Sequence, residues 1–426
     1  MKKYTMLAMV CLLVACSPSI AGETSTESEE LTIENITALV SRTELVEDLW
    51  HIVDILNTNF AMLDALERVY GRIAQDLATH TYNTLPLHDY FTHESAVGLL
   101  NQFVHRLSAG YVGHLNIFLN ERDEYGEIVP EMMRGEWDFA YFWDESRTES
   151  NVIFAPSGSN YQELSQVHGI AYVRVPVFFL EYMYTNVALM QAFLETIADK
   201  DYLIVDLTRH GGMFSVVWYL MFVATLWDSS ADYFELLPLF FKASDTVLEQ
   251  IEEFGFVYHE IELFDGLNFP ELVWGDLKNL DIFIDFAYPS NRQRLIDAKA
   301  ELLEVAQDLG IEPVDFEGEI FLLIDERTWS AADTATRWAR AHNWATIVGT
   351  PTPGIGGSSG AGFQFVEEFP LLHVDASIRV DLEYAINDVG RWNEEQGTLP
   401  DIWQADGMSI LGTAIDHIIN RGASHD

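Results

Sequence analysis

Apolar residues are spaced in two different ways along the chain. From about 33 to 108 they recur every three or four residues, as in "ITALVSRTELVEDLWHIVDIL", which places them on one face of a helix. From about 168 they form short dense runs, bounded by turn residues and separated by helical stretches. This alternation predicts buried strands of a mainly parallel sheet. The sequence therefore indicates a helical N-terminal module over 33–110 and an α/β core over 111–426.

The dense runs locate the individual strands of the core. We expect strands in "GIAYVRVPVF", "DYLIVDL" (201–207), "IFLLID" (320–325) and "ATIVG" (345–349), and shorter ones at 115–119 and 137–143. Helices are expected at about 290–309 and in "GMSILGTAIDHIIN". An aromatic and acidic segment spans residues 227–318 and is called the arm from here on. We interpret the arm as a cover inserted between core strands.

The N-terminus has the pattern of a secretory signal. Lys2 and Lys3 precede an apolar run over 6–15, which is too short to span a membrane. The run ends in "LVAC", which resembles the bacterial lipoprotein cleavage box and implies that Cys16 is the lipidated first residue of the mature chain. An ordinary signal peptide with a coincidental cysteine is the alternative. Residues 17–32 are small, polar and acidic, as in a flexible tether.

A lipid at Cys16 would anchor the protein in the bacterial cell envelope. We expect the outer membrane, with the protein facing the periplasm or the cell surface. Cys11 is the other of the two cysteines and lies within the signal, so the mature chain has no disulfide and no cysteine metal site. No metal ligand pattern stands out, and we expect neither a metal nor another cofactor. The sequence does not indicate an oligomeric state.

The charge excludes one class of partner. The chain has 67 acidic residues and 23 Lys+Arg, which gives a formal net charge of −44. Such a surface repels the phosphate backbone, so nucleic acid is not expected as a partner.

Ser330 lies where a predicted strand ends and an alanine-rich helix begins. Ligand crevices of open α/β sheets form at the carboxyl ends of strands. The free N–H groups of a helix start can also stabilise an oxyanion beside a serine. These features suit a nucleophile, but serine is equally a preferred N-cap residue. The local pattern alone favours the cap.

Three other segments have side chains or backbone suited to chemistry. Gly211-Gly212 follow a strand and let backbone N–H groups approach a ligand closely. His114 follows a glycine-rich turn, and Glu394 and Glu395 precede "GTLPD". Each has a structural alternative: a plain strand-to-helix turn, a structural histidine and a solvated acidic loop.

In this order along the chain, the segments resemble the carboxyl-terminal-processing, tail-specific and tricorn-core serine peptidase family. The family segment "T-x-S-A-[AS]-[ED]" stands here as "TWSAAD" (328–333), and "AT-[IL]-[VI]-G-x-x-T-x-G" as "ATIVGTPTPG" (345–354). The glycine turn appears as "DLTRHGG", the histidine segment as "LSAGYVGHL" and the closing acid segment as "EEQGTLPD". The resemblance covers roughly 106–425 and implies a ClpP/crotonase-like core.

The resemblance assigns roles to these residues. Tail-specific members use a lysine twenty-five residues after the serine, where this chain has Ile355, so a lysine base is excluded in this region. The tricorn-like branch uses histidine, which makes Ser330 the nucleophile, His114 the general base and Glu394 the relay acid, with Glu395 as its rival. The N–H groups of Ala331 and of Gly211 or Gly212 would form the oxyanion hole.

Departures from the family pattern affect the relay and the hole. Gly113 stands where tricorn-like members have a relay serine, Thr208 replaces an arginine of the glycine turn, and His210 lies near its asparagine position. No PDZ module is evident between His114 and the strand at 169.

These observations predict a lipid-anchored serine peptidase of the cell envelope that cleaves peptides or protein tails through an acyl-enzyme. The alternative is a non-catalytic relative that binds peptides or apolar small molecules in the same crevice, since the family includes retinoid-binding members. Aromatic residues of the arm could line such a site or simply pack in the core: Phe234, Phe240, Phe241, Phe254, Phe256 and Trp274.

Overall fold

The computed structural model describes residues 39–71, 73–108, 115–122, 128–129, 152–154, 169–179, 183–226, 237–354 and 365–422. Several predicted features lie outside these ranges. They are the signal peptide with Cys16, the tether, His114 and the strand expected at 137–143. So does most of the segment in which a PDZ module would be inserted. Within the described ranges, no helix is both long enough and apolar enough to cross a membrane.

The described residues of the N-terminal module form four helices. They are α1 (Arg42–Asn59), α2 (Leu63–Tyr70), α3 (Ala74–Thr84) and α4 (His93–Ser108), and the short strands β1 (Leu39–Ser41) and β2 (Tyr90–Thr92) pair antiparallel beside them. A capping box between Ser41 and Glu44 starts α1. Asp48 of α1 accepts the backbone N–H groups of residues 372–374, which fastens the module to the core.

The core is a five-stranded parallel sheet with the order β16-β12-β11-β7-β6. Its strands are β6 (Ile170–Arg174), β7 (Tyr202–Asp206), β11 (Glu319–Ile324), β12 (Thr346–Gly349) and β16 (Ile402–Trp403). Their dense apolar residues are buried because both faces of the sheet are covered. This confirms the predicted α/β class and the strands expected near 170, 202, 320 and 346.

Helices cover the two faces of this sheet and extend beyond it. The smaller of two apolar clusters packs the last helix against one face of the sheet, and the main core includes the residues of the opposite face, such as Leu203, Leu322 and Ile347. The helices after α4 are α5 (Met183–Thr196), α6 (Ser215–Trp218), α7 (Asp245–Phe254), α8 (Trp274–Leu277), α9 (Pro289–Asp308), α10 (Ala331–Ala341), α11 (Asn393–Gln396) and α12 (Ile410–Gly422). α6 is continued by a π-helix at Tyr219–Val223 and by a further helical turn at Ala224–Leu226, and a short 3-10 helix lies at Ile261–Leu263.

Three smaller antiparallel sheets lie outside the N-terminal module and the parallel sheet in the part of the chain that the structure describes. Their strands are β3 (Asn116–Leu119), β4 (Glu121–Arg122), β5 (Ile128–Val129), β8 (Leu239–Phe241), β9 (His259–Glu260), β10 (Ile282–Ile284), β13 (Val366–Pro370), β14 (Ala376–Asp381) and β15 (Glu383–Ala385). The orders are β13-β14-β3, β15-β8-β10-β9 and β4-β5. The arm is thus more than a cover, because its strands pair with β15 from the end of the chain.

The aromatic residues of the arm mostly pack in its core. Phe240 and Phe241 are fully buried, Phe256 is 5% exposed, and Phe254 packs against the same cluster. Trp274 is half exposed, and Phe234 lies outside the described residues. Of the two interpretations of these aromatics, core packing is the one that the structure supports.

Candidate functional site

Ser330 lies between β11 and α10 in a strained backbone conformation. Its φ is 50° and its ψ is −121°, a backbone conformation that residues other than glycine rarely adopt. Its hydroxyl makes no capping hydrogen bond to α10. The expectation that this serine caps the helix is therefore wrong, although it occupies the cap position. The tight turn leaves its half-buried side chain free for another role.

The turn that carries Ser330 is fastened to the turn after the neighbouring strand β7. We call residues 325–330 the serine turn and residues 207–213 the glycine turn. β7 and β11 are parallel and in register, so both turns lie at the same edge of the sheet. Three hydrogen bonds join them: Thr328 Oγ1 to Leu207 O at 2.9 Å, Trp329 N–H to His210 O at 3.0 Å, and Arg209 N–H to Asp325 Oδ1 at 2.9 Å.

Gly212 lies directly against Ser330. A Cβ atom added to Gly212 would be 2.7 Å from Ser330 Cβ and 2.8 Å from the Trp329 carbonyl oxygen. Gly212 also has a φ of +82°, which glycine adopts without strain. The second glycine of the predicted pair is therefore required at this position for two reasons. Arg209 and Met213 of the same turn have positive φ as well, so strained residues are concentrated around the serine.

The predicted oxyanion donors differ in their availability. Ala331 N–H begins α10 beside the serine and has no hydrogen-bond partner among the described residues. Gly211 N–H donates to Pro176 O at 3.1 Å, and Gly212 N–H donates to Nδ1 of His210 at 2.9 Å. Either glycine must exchange its present acceptor before it can bind an oxyanion.

His210 is a fully buried residue of the glycine turn. Its ring lies 4.1 Å from the Phe178 ring, and desolvation, with a smaller contribution from Arg174, lowers its pKa to about 3. Nδ1 accepts the Gly212 N–H, so the neutral ring has its proton on Nε2. In this arrangement neither nitrogen can accept a proton from Ser330. His210 is thus a structural residue of the turn and a poor general base.

This burial predicts a pH-dependent contribution to stability. The unfolded ring binds a proton below about pH 6.5 and the folded ring only below about 3, so the unfolded state binds more protons within that window. Stability should therefore fall as the pH falls through the window, by about 1.4 kcal/mol per pH unit. We expect His210→Asn to lack this pH-dependent part of the stability. The measurement is the urea unfolding midpoint of the wild type and of the variant from pH 7 to 4.5, and the difference between the two midpoints should change with pH. Parallel losses in the two proteins would contradict the prediction.

The predicted relay acid lies on the short helix α11. The side chain of Glu394 and the whole of His114 lie outside the described residues, so both assignments stay predictions. Glu395 has a different partner: its Oε2 is 2.6 Å from Arg68 Nη2 of the N-terminal module. This ion pair weakens the case for Glu395 as the rival relay acid.

Asp333, one turn into α10 from Ser330, is the centre of a buried network that the sequence did not identify. It is fully buried and accepts hydrogen bonds from side chains in two distant segments. They are Thr352 Oγ1 at 2.5 Å, Thr398 Oγ1 at 2.8 Å and Asn393 Nδ2 at 3.0 Å. The acidic position of the "TWSAAD" segment was the one available signal. Across the described part of the chain, no three His, Cys, Asp or Glu side chains are grouped as metal ligands.

Comparison with known proteins relates this site to a family of peptidases. Residues 277–403 match the sequence model of peptidase family S41, and this segment includes Ser330 and Glu394. Among functionally curated proteins, none matches the chain in sequence.

Solved structures share the fold over about nine-tenths of the chain. The structure of mature CPAF complexed with lactacystin has 13% identity and a TM-score of 0.50, covering 89% of this chain and 97% of that one. A structure assigned as a peptidase from Parabacteroides merdae has 14% identity and a TM-score of 0.50, covering 90% of this chain and 99% of that one. Likeness at these identities concerns the fold alone.

Proposed function

Because the chain belongs to peptidase family S41 and is a serine-type peptidase, we propose that Ser330 is its nucleophile and His114 its general base. The observation that carries this proposal is the conformation of Ser330. A strained backbone is retained only where the surrounding structure imposes it, and such residues cluster at active sites. Here the strained residue places a hydroxyl that makes no capping bond beside the Ala331 N–H, which has no acceptor among the described residues.

The proposed reaction follows from these positions. Ser330 Oγ attacks the carbonyl carbon of the scissile peptide bond while His114 accepts the hydroxyl proton. Ala331 N–H stabilises the oxyanion, together with Gly212 N–H once it is released from His210. The histidinium then protonates the leaving amine, and an acyl-enzyme forms. Water, deprotonated by His114, hydrolyses this ester and regenerates the serine. Glu394 orients the histidine and stabilises its charged form.

The substrates we propose are peptides or protein tails. The family supplies the reaction class, and the site at the sheet edge would hold an acyl group next to Ser330. With no PDZ module evident in the sequence, we propose that the core or the arm itself holds the substrate tail.

We further propose that the protein is anchored by a lipid at Cys16 in the bacterial cell envelope, at the outer membrane facing the periplasm or the cell surface. The support is the sequence alone: two lysines, a short apolar run and "LVAC". The acidic tether would separate the folded body from the membrane surface, and like charge would keep it away from anionic lipids.

Labelling with a fluorophosphonate probe tests these proposals, because the probe reacts only with an activated serine. We expect the wild type to be labelled, and Ser330→Ala and His114→Ala to be labelled at least 10³-fold more slowly. In fractionated cells, the labelled wild type should remain with membranes and Cys16→Ser should be released. Equal labelling of His114→Ala would remove His114 as the base, and membrane-bound Cys16→Ser would remove the anchor.

A binding function remains the second candidate, favoured by one observation. Both glycine N–H groups of the predicted hole already have acceptors, as expected for a site that performs no acyl transfer. A folded wild-type protein that the probe does not label would favour this candidate.

A further inference from the structure

The helix that contains Glu394 cannot hold its own position. α11 spans only four residues, Asn393–Gln396, and a helix of one turn is unstable in isolation. Its placement therefore depends on contacts made by its side chains. The two residues that flank Glu394 in the chain, Asn393 and Glu395, both make such contacts.

The first contact ties α11 to the helix that begins at Ser330. Asp333 Oδ2 accepts a hydrogen bond from Asn393 Nδ2 at 3.0 Å, and both residues are buried. Asp333 Oδ1 binds the hydroxyls of Thr352 and Thr398, and the Thr398 N–H in turn donates to Thr352 Oγ1 at 2.7 Å. Hydrogen bonds to both oxygens satisfy a carboxylate that has no access to water.

Charge near Asp333 is compensated within the same helix. Arg337 Nε lies 3.8 Å from Asp333 Oδ2, one helical turn further on. This distance is longer than a hydrogen bond, so the guanidinium contributes charge and leaves the direct contacts of Asp333 to α11 and the two threonines. Asp333 is therefore arranged to join segments, and an ion pair alone does not account for its burial.

The second contact ties α11 to the N-terminal module. Arg68 Nη2 lies 2.6 Å from Glu395 Oε2, while its guanidinium also binds the buried Asp276 with bonds of 2.8 and 2.7 Å. The Tyr384 hydroxyl donates to the same Asp276 carboxylate. Because the buried Asp276 fixes the Arg68 guanidinium, Arg68 can hold Glu395, and with it α11, in one position.

From these contacts we propose that Asp333 is a positioning residue that fixes Glu394 relative to Ser330, with Arg68 supporting the other side of α11. Asp333 lies three residues after the nucleophile on one rigid helix, and its partner Asn393 directly precedes the acid. This inference rests on the proposed roles of Ser330, His114 and Glu394. Loss of the bond between Asp333 and Asn393 should let α11 shift and should separate the acid from the base it orients.

A donor–acceptor swap tests the bond without removing it. In Asp333→Asn, Oδ1 can still accept from the threonines, but two amide NH₂ groups face each other at Asn393. In Asn393→Asp, two buried carboxylates face each other. The double variant Asp333→Asn/Asn393→Asp restores one donor and one acceptor, with the net charge of the wild type. The measurement is the rate constant of fluorophosphonate labelling from pH 5 to 9.

We expect Asp333→Asn to lower the labelling plateau by about 10- to 100-fold, the scale of a misplaced catalytic group. Its acidic limb should also move to lower pH, because a histidine that loses its carboxylate neighbour is more readily deprotonated. The double variant should recover to within about threefold of the wild type. Asp401→Asn is the matched control: it removes a carboxylate bound to Ile347 N–H and Arg340, and should leave the pH profile unchanged.

Two results would overturn the inference. In the first, the labelling rate of Asp333→Asn falls only in proportion to the fraction of unfolded protein, and the midpoint of its pH profile does not move. That result would mean that Asp333 contributes to stability alone. The other is a double variant as impaired as Asp333→Asn. Failure of the proposed function is distinguishable, because the wild type would then escape labelling or His114→Ala would be labelled normally.

Discussion

Ser330→Gly is expected to abolish fluorophosphonate labelling and peptidase activity while making the protein more stable. The nucleophile accounts for most of the rate enhancement in a serine peptidase, so activity should fall on the order of 10⁴- to 10⁶-fold. At a φ of 50° and a ψ of −121°, serine is strained by about 1–3 kcal/mol. Glycine relieves that strain but has a higher entropy in the unfolded chain, which leaves a net gain of about 1 kcal/mol.

Ser330→Ala separates the two effects. It should be as inactive as the glycine variant, yet its free energy of unfolding should stay within about 0.5 kcal/mol of wild type, since the hydroxyl makes no capping bond. Urea unfolding of the three proteins at one pH measures the differences. If Ser330→Ala were destabilised by the roughly 1 kcal/mol typical of a lost N-cap, the serine would be a cap after all.

Gly212→Ala should cause the second large loss. The new methyl group would overlap Ser330 Cβ and the Trp329 carbonyl, at 2.7 and 2.8 Å, in a backbone with a φ of +82°. Overpacking and backbone strain together should destabilise the protein by about 2–4 kcal/mol. Because the serine and glycine turns must move apart, the labelling rate should fall by more than about 10³-fold in the molecules that stay folded.

Gly98→Ala is the matched control for that substitution. Gly98 lies on α4, and a Cβ added there meets no atom within 4 Å. It should raise the free energy of unfolding by about 0.5–1 kcal/mol through helix propensity and leave labelling unchanged. Wild-type labelling of Gly212→Ala would show that the glycine turn does not support the nucleophile.

The elements of the core were predictable because burial on both faces of a parallel sheet leaves a continuous apolar run in the sequence. "IFLLID" and "ATIVG" became β11 and β12 within a residue or two, and the expected helix at 290–309 became α9 at Pro289–Asp308. Pairing partners were not predictable in the same way. The arm strand β8 pairs with β15, more than a hundred residues later, and only the folded chain brings them together.

The composition of the arm illustrates the same limit. An aromatic-rich segment indicates that its rings are buried, but its sequence does not identify the residues that pack against them. Phe240 packs against Phe264 and Tyr384, and Phe241 packs against Phe365. Two of these three partners come from beyond the arm, so the choice between a ligand site and a packed core needed the tertiary structure.

The sequence by itself determined the α/β class, the strand–turn–helix that presents Ser330, and the absence of a lysine at position 355. These follow from local periodicity and residue identity, which act over a few residues. Only the tertiary structure decided that Ser330 is strained and uncapped, that Gly212 lies against it, and that His210 already binds the Gly212 N–H. It also decided that Glu395 pairs with Arg68, 327 residues away, and that Asn393 donates a hydrogen bond to Asp333. Such contacts depend on how distant segments pack, and no local pattern in the chain encodes that packing.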